Sequence, residues 1–255
     1  MTRRGLRLAL VLALAAIAVG PVAVVRGGTS AEKLPDLAML APFDFHIETT
    51  TEDRKLLRFS TVSVNIGPGR FRLFGFDPVD GVADHDDILS VVQMIKHEDG
   101  TWTSRDTMAQ MSWSGDGHDH WHVLDFQKFK LVSLDTTVLG NVAKTGFCSF
   151  DSYPYTSPRP AFFTGERDIC QTNQAGKVLM GTSRGWGDIY RWNIAFQWID
   201  ITDLPDGKYK VRVVVDAPFA TGGFFSESDE SNNRSWTKIR IEGSSVTILD
   251  QRRNP

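Results

Sequence analysis

The sequence of 255 residues has no surplus of basic residues, few cysteines and no long window of helical periodicity. Its 28 lysines and arginines are outnumbered by 31 aspartates and glutamates, which gives a formal net charge of -3. Because nucleic-acid binding normally shows as a basic surplus, nucleic acid is excluded as the expected partner. Internal repeats and low-complexity segments are also lacking. The length suits one domain with a full hydrophobic core, or at most two small ones.

The N-terminus has the layout of a secretory signal peptide. Three arginines precede an uncharged apolar run from Leu8 to Val25, which is the basic start and apolar middle that such signals share. An uncleaved membrane anchor is the alternative, since the run is nearly long enough to cross a bilayer. Gly20 and Pro21 interrupt the run and favour the signal peptide. Residues 1–30 are therefore assigned to a signal peptide or N-terminal membrane anchor, and the rest of the chain is expected to be secreted or at the cell surface.

Only two cysteines are present, Cys148 and Cys170. In an oxidising compartment outside the cytoplasm, an even number of cysteines indicates a disulfide. Two buried free thiols are the alternative. A bridge closing a loop of this length would stabilise the fold by about 3 kcal/mol, if it acts by restricting the unfolded chain.

Alternating and β-branched segments dominate residues 31–255, which are expected to form one domain. Strands are predicted at Lys55–Phe59, Arg70–Phe76, Ile88–Ile95, Lys208–Val215 and Trp236–Glu242. Long loops are predicted where Gly, Pro, Ser and Thr accumulate, at Asp151–Pro160 and Thr172–Gly187. The predicted fold class is mostly β, an antiparallel β-sandwich whose long loops carry the function.

Three of the six histidines lie close together, at positions 118, 120 and 122. In a strand His118, His120 and His122 point to the same face, and Leu124 and Phe126 would continue that face as apolar core. Three imidazoles beside a dry core suit a copper or zinc site with an open position. The pattern therefore predicts a transition-metal site.

The spacing of the histidines leaves the identity of the metal open. Nitrogen ligands suit Cu(II), Zn(II) or Ni(II). Asp119, Trp121 and Asp125 would face the other way, so their side chains are not expected among the ligands. An exposed polar strand end without a metal is the alternative interpretation.

Three segments resemble the lysyl oxidase family, in the order in which that family has them. His118–Phe126 looks like the copper-binding strand of these enzymes. Val142–Cys148 is similar to the segment that carries the cofactor lysine four residues before a cysteine. Trp186–Gly207 matches the segment that carries the cofactor tyrosine, and its run from Gln197 to Asp203 is the most specific part. Together with one motif near the N-terminus and an acidic motif near the C-terminus, the resemblance covers nearly all of residues 34–240.

The resemblance implies a short member of the family with an exported catalytic domain. Copper would be bound by the three histidines, and Lys144 and Tyr190 would be crosslinked into a self-made cofactor, lysine tyrosylquinone. The implied reaction is the oxidation of primary amines, either peptidyl lysine or small amines, by O2 to aldehydes, with release of hydrogen peroxide and ammonia. Asp188 and Asp125 are candidates for the general base by proximity to the motifs. The two cysteines match a family pair that tethers the lysine segment.

Two acidic motifs resemble a calcium site of the same family. Glu227–Asn233 offers several oxygen ligands within a short segment, which suits Ca²⁺, and Pro35–Leu37 resembles the family's N-terminal motif. A loop whose side chains cap its own backbone is the alternative. The implied ligands are Asp36, the Leu37 carbonyl, Glu227, Asp229, Asn232 and Asn233.

Two other functions are compatible with parts of the pattern. A non-enzymatic copper-binding β-sandwich for metal sequestration or cell-surface interaction would need the histidines but not Lys144 or Tyr190. A zinc hydrolase is less well supported, because no carboxylate lies at a characteristic hydrolase spacing from the histidines. Animal members of the resembled family carry several disulfides in this domain, whereas this sequence has cysteines for one only.

Overall fold

A computed structural model describes residues 30–115, 119–135, 137–142, 144–156, 158–216 and 223–255. Within these ranges nearly all regular structure is β, and the helical structure is a single 3-10 turn at Gly165–Arg167. The strands are β1 (Glu32–Lys33), β2 (Leu37–Met39), β3 (Phe43–Thr49), β4 (Lys55–Asn65), β5 (Phe71–Phe76), β6 (Ile88–His97), β7 (Trp102–Ser114), β8 (His120–Leu124), β9 (Gln127–Val132), β10 (Val138–Leu139), β11 (Asn141–Val142), β12 (Gly146–Phe147), β13 (Tyr153–Pro154), β14 (Val178–Thr182), β15 (Trp186–Tyr190), β16 (Trp198–Asp200), β17 (Gly207–Val215), β18 (Arg234–Glu242) and β19 (Ser245–Gln251).

The described strands form three antiparallel sheets. The first has the order β12-β8-β7-β6-β5-β14, with β1 paired to the end of β6. The second has the order β10-β9-β17-β18-β19. The third is centred on β4, which pairs with β15, β16, β2 and β3. The first sheet therefore carries the histidine strand β8, and the third carries Tyr190 at the end of β15.

The burial pattern explains why these segments form strands. In β5 and β18 buried residues alternate with more exposed ones, as in a strand with one face on the core. In β4 almost every residue is buried, as in a central strand that is flanked on both edges and covered on both faces. All five strands predicted from the sequence are present, within β4, β5, β6, β17 and β18.

One apolar core joins the three sheets. Phe59, Phe71, Phe126 and Phe147 are fully buried and belong to the same cluster. The Phe71 and Phe126 rings stack with their centroids 5.4 Å apart. Burial of each such ring contributes about 1.5–3 kcal/mol relative to leaving it in water. Sheet faces packed against a shared core confirm the mostly β sandwich that the sequence predicts.

The long loop predicted at Thr172–Gly187 is wrong, because this segment contains β14 and the start of β15. Every residue of β14 is buried, and the strand pairs with β5 over its whole length. The glycines and serines on either side of β14 are typical of a loop. The strand pairs with β5, which is distant in the sequence, so the local pattern does not reveal it. The other predicted loop, Asp151–Pro160, contains only the two-residue β13 among its described residues.

The predicted disulfide is confirmed, since Cys148 and Cys170 are bonded with their Cα atoms 5.9 Å apart. The predicted signal peptide or anchor lies almost wholly in residues 1–29, outside the described residues. Across the described ranges, no helix has the length and apolar character needed to cross a membrane.

Candidate metal centre and cofactor site

The described histidines of the predicted metal site, His120 and His122, lie on one face of β8. Their Nε2 atoms are 2.9 Å apart, and the two rings meet edge to face. His122 is buried and His120 is partly buried. His118 lies outside the described residues. The pair thus brings two imidazole nitrogens close together. Imidazole nitrogens are ligands that suit Cu(II), Zn(II) or Ni(II).

The strand does not continue into the core as the sequence suggested. Leu124 follows the histidines on their face but is only partly buried, and β8 ends there. Asp125 has a left-handed backbone (φ 58°) that turns the chain, so Phe126 enters the core beyond the strand. The fully buried residues of β8 are Trp121 and Val123, on the face opposite the histidines. Trp121 therefore faces away from the histidine pair, as predicted.

Gly146 forms a close-fitting wall against His122. Strand β12 pairs with β8, with Gly146 opposite Leu124. A Cβ atom at Gly146 would lie 2.7 Å from Nδ1 and 2.8 Å from Cβ of His122. No side chain fits at these distances, so the glycine is required for this position of the imidazole. The segment with the predicted cofactor lysine thus also orients a predicted metal ligand.

Lys144 and Tyr190 are brought together in the interior. The Lys144 Nζ atom lies 5.2 Å from the centroid of the Tyr190 ring and 5.2 Å from that of Phe147. Phe147 packs edge to face on Tyr190 with centroids 5.1 Å apart. Lys144 is 6% and Tyr190 7% exposed. The two residues that the resemblance assigns to one cofactor are therefore neighbours in the structure.

The Tyr190 hydroxyl is held by backbone and stays protonated. It donates a hydrogen bond of 2.6 Å to the Cys148 carbonyl. Burial raises the pKa of Tyr190 well above its ordinary value, and the nearby charge of Asp188 raises it further. The phenol is therefore neutral at physiological pH.

Asp188 is a fully buried carboxyl on the same face of β15 as Tyr190. Its Oδ1 accepts a hydrogen bond of 2.7 Å from the Ser152 hydroxyl, and its Oδ2 has no partner among the described residues. Burial raises the pKa of Asp188 to about 7, although the hydrogen bond from Ser152 and the charge of Lys144 lower it. The other candidate base, Asp125, is exposed and pairs with Lys128 at 3.5 Å.

The disulfide connects the histidine strand to Tyr190. The Cys170 carbonyl accepts a hydrogen bond of 2.8 Å from the Trp121 amide, between the two described histidines. At the other end of the bridge, the Cys148 carbonyl accepts the Tyr190 hydroxyl. The cysteine pair thus fixes both halves of the site through backbone groups.

A set of buried polar side chains lies beside Tyr190, and the sequence predicts no role in the site for any of them, although Gln197 begins the family-like run. Gln127 donates to the Ser63 hydroxyl at 3.2 Å, and Gln197 donates to the Thr61 hydroxyl at 3.3 Å. Ser63 and Thr61 lie opposite Asp188 and Tyr190 in the pairing of β4 with β15. Only the cross-strand register, which local patterns do not reveal, places these amides near the tyrosine.

The predicted calcium ligands are also partly assembled. Glu227 accepts hydrogen bonds of 2.6 Å from both the Leu37 amide and the Asn233 side chain. Asn232 donates to Asp36 at 2.7 Å. Asp229 is exposed and accepts the Ser231 amide at 2.8 Å. The two segments named from the sequence therefore meet, with Asp229 at the surface.

Two carboxyls that sequence reasoning missed, Asp216 and Glu230, join Glu227. Their carboxylate oxygens and one of Glu227 lie within 4.8 Å of one another. Burial raises the pKa of Asp216 to about 7 and that of Glu227 to about 9. The Oδ1 atoms of Asn232 and Asn233 are buried and lack a hydrogen-bond partner in the described part of the chain. Crowded carboxyls with unsatisfied amide oxygens fit a hard cation.

Comparison with known proteins identifies related sequences. The lysyl oxidase family model matches residues 79–250, about two thirds of the chain. Lysyl oxidase homolog 2 of Homo sapiens is 29% identical over 205 residues, covering 80% of this chain and 20% of the human protein. Lysyl oxidase homolog 2 of Rattus norvegicus is 29% identical over 200 residues, 78% of this chain and 20% of the rat protein. Lysyl oxidase homolog 3A of Danio rerio is 30% identical over 154 residues, 60% of this chain and 19% of the zebrafish protein. The chain spans about a fifth of the length of these curated relatives, and it belongs to the lysyl oxidase family.

Proposed function

We propose that this protein is an exported, copper-dependent amine oxidase that uses a lysine tyrosylquinone formed from Lys144 and Tyr190. The reaction would convert a primary amine, O2 and water into an aldehyde, ammonia and hydrogen peroxide. The observation that carries the proposal is the position of the Lys144 Nζ atom, 5.2 Å from the centroid of the Tyr190 ring, in a buried site. Family membership supports an amine oxidase independently.

The metal in this proposal is copper, held by His118, His120 and His122. The Nε2 atoms of the two described histidines lie 2.9 Å apart, and the close approach of Gly146 fixes the position of the His122 ring. Both features support a metal site here. When bound, copper would supply the chemistry with O2 that oxidises the Tyr190 ring, and the crosslinked quinone would supply the two-electron acceptor for the amine.

The chain's own residues would orient the reacting groups and hold a proton. The Cys148 carbonyl fixes the Tyr190 hydroxyl, and Phe147 supports both the ring and the Lys144 side chain. Asp188 lies beside both groups, and its pKa of about 7 allows it to take up or release a proton at neutral pH. These features support Asp188 rather than Asp125 as the base of the site.

The proposed substrate is a primary amine, either peptidyl lysine or a small amine. The exposed carboxylates of Asp119 and Asp125 lie at the two ends of the histidine strand. Their negative charge would attract a cationic amine to this side of the molecule. The N-terminal segment would export the protein to the secreted or cell-surface location where such amines are found.

A structural calcium ion is proposed at the second site. Glu227, Asn232 and Asn233 would be ligands together with Asp36 and the Leu37 carbonyl, and the carboxyls of Asp216 and Glu230 would add negative charge. The unsatisfied Oδ1 atoms of both asparagines support this proposal. Asp229 remains a proposed ligand, although its carboxylate is at the surface.

The proposed cofactor is tested by mass spectrometry of tryptic peptides after aerobic copper loading. We expect a crosslinked peptide pair joining Lys144 to Tyr190, a visible quinone absorbance and amine-dependent release of hydrogen peroxide. Tyr190→Phe and Lys144→Met should lose all three. Tyr209→Phe and Lys128→Met are matched controls, because Tyr209 is a buried tyrosine hydrogen-bonded elsewhere and Lys128 pairs with Asp125.

The outcomes separate the enzyme from a copper-binding module. Unmodified peptides in copper-loaded protein, with copper binding that is lost in His120→Ala, would contradict the amine oxidase and favour metal sequestration. Full activity in Tyr190→Phe would contradict the assignment of the cofactor.

A further inference from the structure

Three arginine side chains surround the Phe162 ring on a part of the molecule that the proposed oxidase does not use. The guanidinium carbons of Arg70, Arg167 and Arg72 lie 4.3, 4.4 and 5.6 Å from the ring centroid. No two of these charges are therefore farther apart than about 10 Å, which is the Debye length at about 0.1 M salt. At this separation salt screens their repulsion only in part.

The hydrogen-bond donors of the three guanidinium groups are not paired with acceptors among the described residues. Within the described ranges, none of them makes a hydrogen bond or ion pair within 4 Å, and the Arg72 Nε atom is buried without a partner. An arginine carries five N–H donors in a planar fork, so three arginines offer an unusually large number of unused donors.

Asp151 is the carboxylate whose charge acts on Arg70. Burial lowers the pKa of Arg70, the charge of Asp151 raises it, and the charge of Arg167 lowers it again. Burial also lowers the pKa of Arg72, and Arg70 lowers it further. The oxygens of Asp151 already accept the backbone amides of Phe162, Phe163 and Ser183. The carboxylate that acts on Arg70 thus uses its oxygens on the backbone and, within the part of the chain that the structure describes, makes no hydrogen bond to the guanidinium.

Aromatic rings extend this surface along the first sheet. The Arg72 guanidinium also lies 5.0 Å from the centroids of Phe74 and Trp102, and the Lys96 ammonium lies 5.9 Å from that of Trp102. The rings hold the cationic groups in place by cation–π contact. The donors are therefore oriented before any ligand arrives, which lowers the entropic cost of binding.

We propose that Arg70, Arg72 and Arg167 form a binding site for a phosphate or sulfate group. Both anions are tetrahedral, carry up to two negative charges and present several oxygens to arginine forks. Clustered arginines are a recurrent way to recognise such groups. None of these residues belongs to the proposed copper, calcium or quinone sites, so the proposal does not depend on those groups.

The site is tested on the full mature protein by NMR titration with sodium sulfate and, separately, sodium phosphate. Sodium chloride at matched ionic strength is the reference. A rise in melting temperature is not used as evidence of binding, because sulfate stabilises folded proteins generally. We expect saturable changes in the arginine Nε–H and Trp102 indole resonances that chloride does not cause. A sulfated and a phosphorylated monosaccharide show whether a sulfate ester or a phosphate ester is preferred.

Variants test whether these arginines bind the anion. Arg167→Gln, at an exposed position in the 3-10 turn, should weaken binding at least fivefold without affecting the fold. Arg72→Lys keeps the charge but removes the fork, so it should also weaken binding. Arg212→Gln removes an exposed arginine from another sheet and should change nothing. Equal affinity in Arg167→Gln and Arg212→Gln, or changes no larger than those with chloride, would overturn the proposal.

Discussion

The Nζ atom of Lys144 lies 5.2 Å from the centroid of the Tyr190 ring, although the two residues are on different segments far apart in the sequence. The short segment Lys144–Cys148 makes this possible, because each of its key residues has a separate contact. Gly146 packs on His122, Phe147 packs on the Tyr190 ring, and the Cys148 carbonyl holds the Tyr190 hydroxyl. The histidine strand β8 and the proposed cofactor precursors are thus held in position by the same segment.

The first prediction concerns the glycine that packs on His122. Gly146→Ala should weaken copper binding by about 10- to 100-fold, the range seen when groups supporting metal ligands are changed. The added Cβ would lie 2.7 Å from the His122 ring, so the imidazole must move. Copper affinity is measured by competition with a chelator. Gly165→Ala is the control, since a Cβ there meets nothing within 4 Å. Unchanged affinity in Gly146→Ala would show that His122 is not a ligand in this orientation.

The second prediction separates the two candidate bases. Asp188→Asn should slow the appearance of the quinone absorbance after copper addition by about 100-fold or more, which is the usual contribution of a positioned proton acceptor. Asp125→Asn should leave the rate unchanged, because Asp125 is exposed and pairs with Lys128. A slow Asp125→Asn and a normal Asp188→Asn would reverse the assignment.

The third prediction is a pH dependence of stability that follows from the buried Asp188 carboxyl. Its pKa is raised from 3.8 to about 7, so the folded state keeps a proton that the unfolded chain releases near pH 4. The stability linked to this proton is complete below pH 4 and is lost as the pH rises to 7. For a fully buried group the loss is about 4 kcal/mol. In metal-free protein, Asp188→Asn should therefore lose less stability than wild type between pH 4 and pH 8, measured by urea unfolding.

A control of opposite sign is available at Asp200. Hydrogen bonds from Thr202 and the nearby Arg54 lower the pKa of Asp200 to about 2. The stability that this carboxylate contributes is present above pH 4 and is lost as the pH falls towards 2. Asp200→Asn should therefore be less stable than wild type at pH 7, with a difference that shrinks in acid. If Asp188→Asn follows the same direction, the buried carboxyl of Asp188 is ionised in the folded protein.

The sequence predicts those parts of the site whose signal is local or matches a family motif. His120 and His122 share a face because alternate residues of a strand do so, and Lys144 and Tyr190 are identified by resemblance. The roles of Gly146 and Gln127 depend on which strands pair and in which register, and no local pattern contains that information. β14 was missed for the same reason, since its burial comes from pairing with β5.

The fourth prediction concerns the disulfide. Replacing both Cys148 and Cys170 by serine should lower stability by about 3 kcal/mol, because the loop between them gains freedom in the unfolded chain. For a domain of this size that is a fall in Tm of about 6–12 °C. The variant should also form the quinone more slowly at a temperature where it remains folded, because the Cys148 carbonyl orients Tyr190. Normal quinone formation would show that the bridge stabilises the fold without orienting the site.

The last prediction is that calcium binding becomes tighter as the pH rises and is lost in Glu227→Gln. Asp216 and Glu227 have pKa values raised to about 7 and about 9 in the metal-free protein, so a cation must displace protons from them. Calorimetry at pH 6 and pH 8, each in two buffers of different ionisation enthalpy, measures both the affinity and the protons released. Saturating calcium, at about 100 times Kd, should stabilise the protein by about 2.7 kcal/mol. Glu242→Gln, an exposed glutamate on β18, is the control. Calcium affinity that is independent of pH, or equal in the two variants, would place the ion elsewhere.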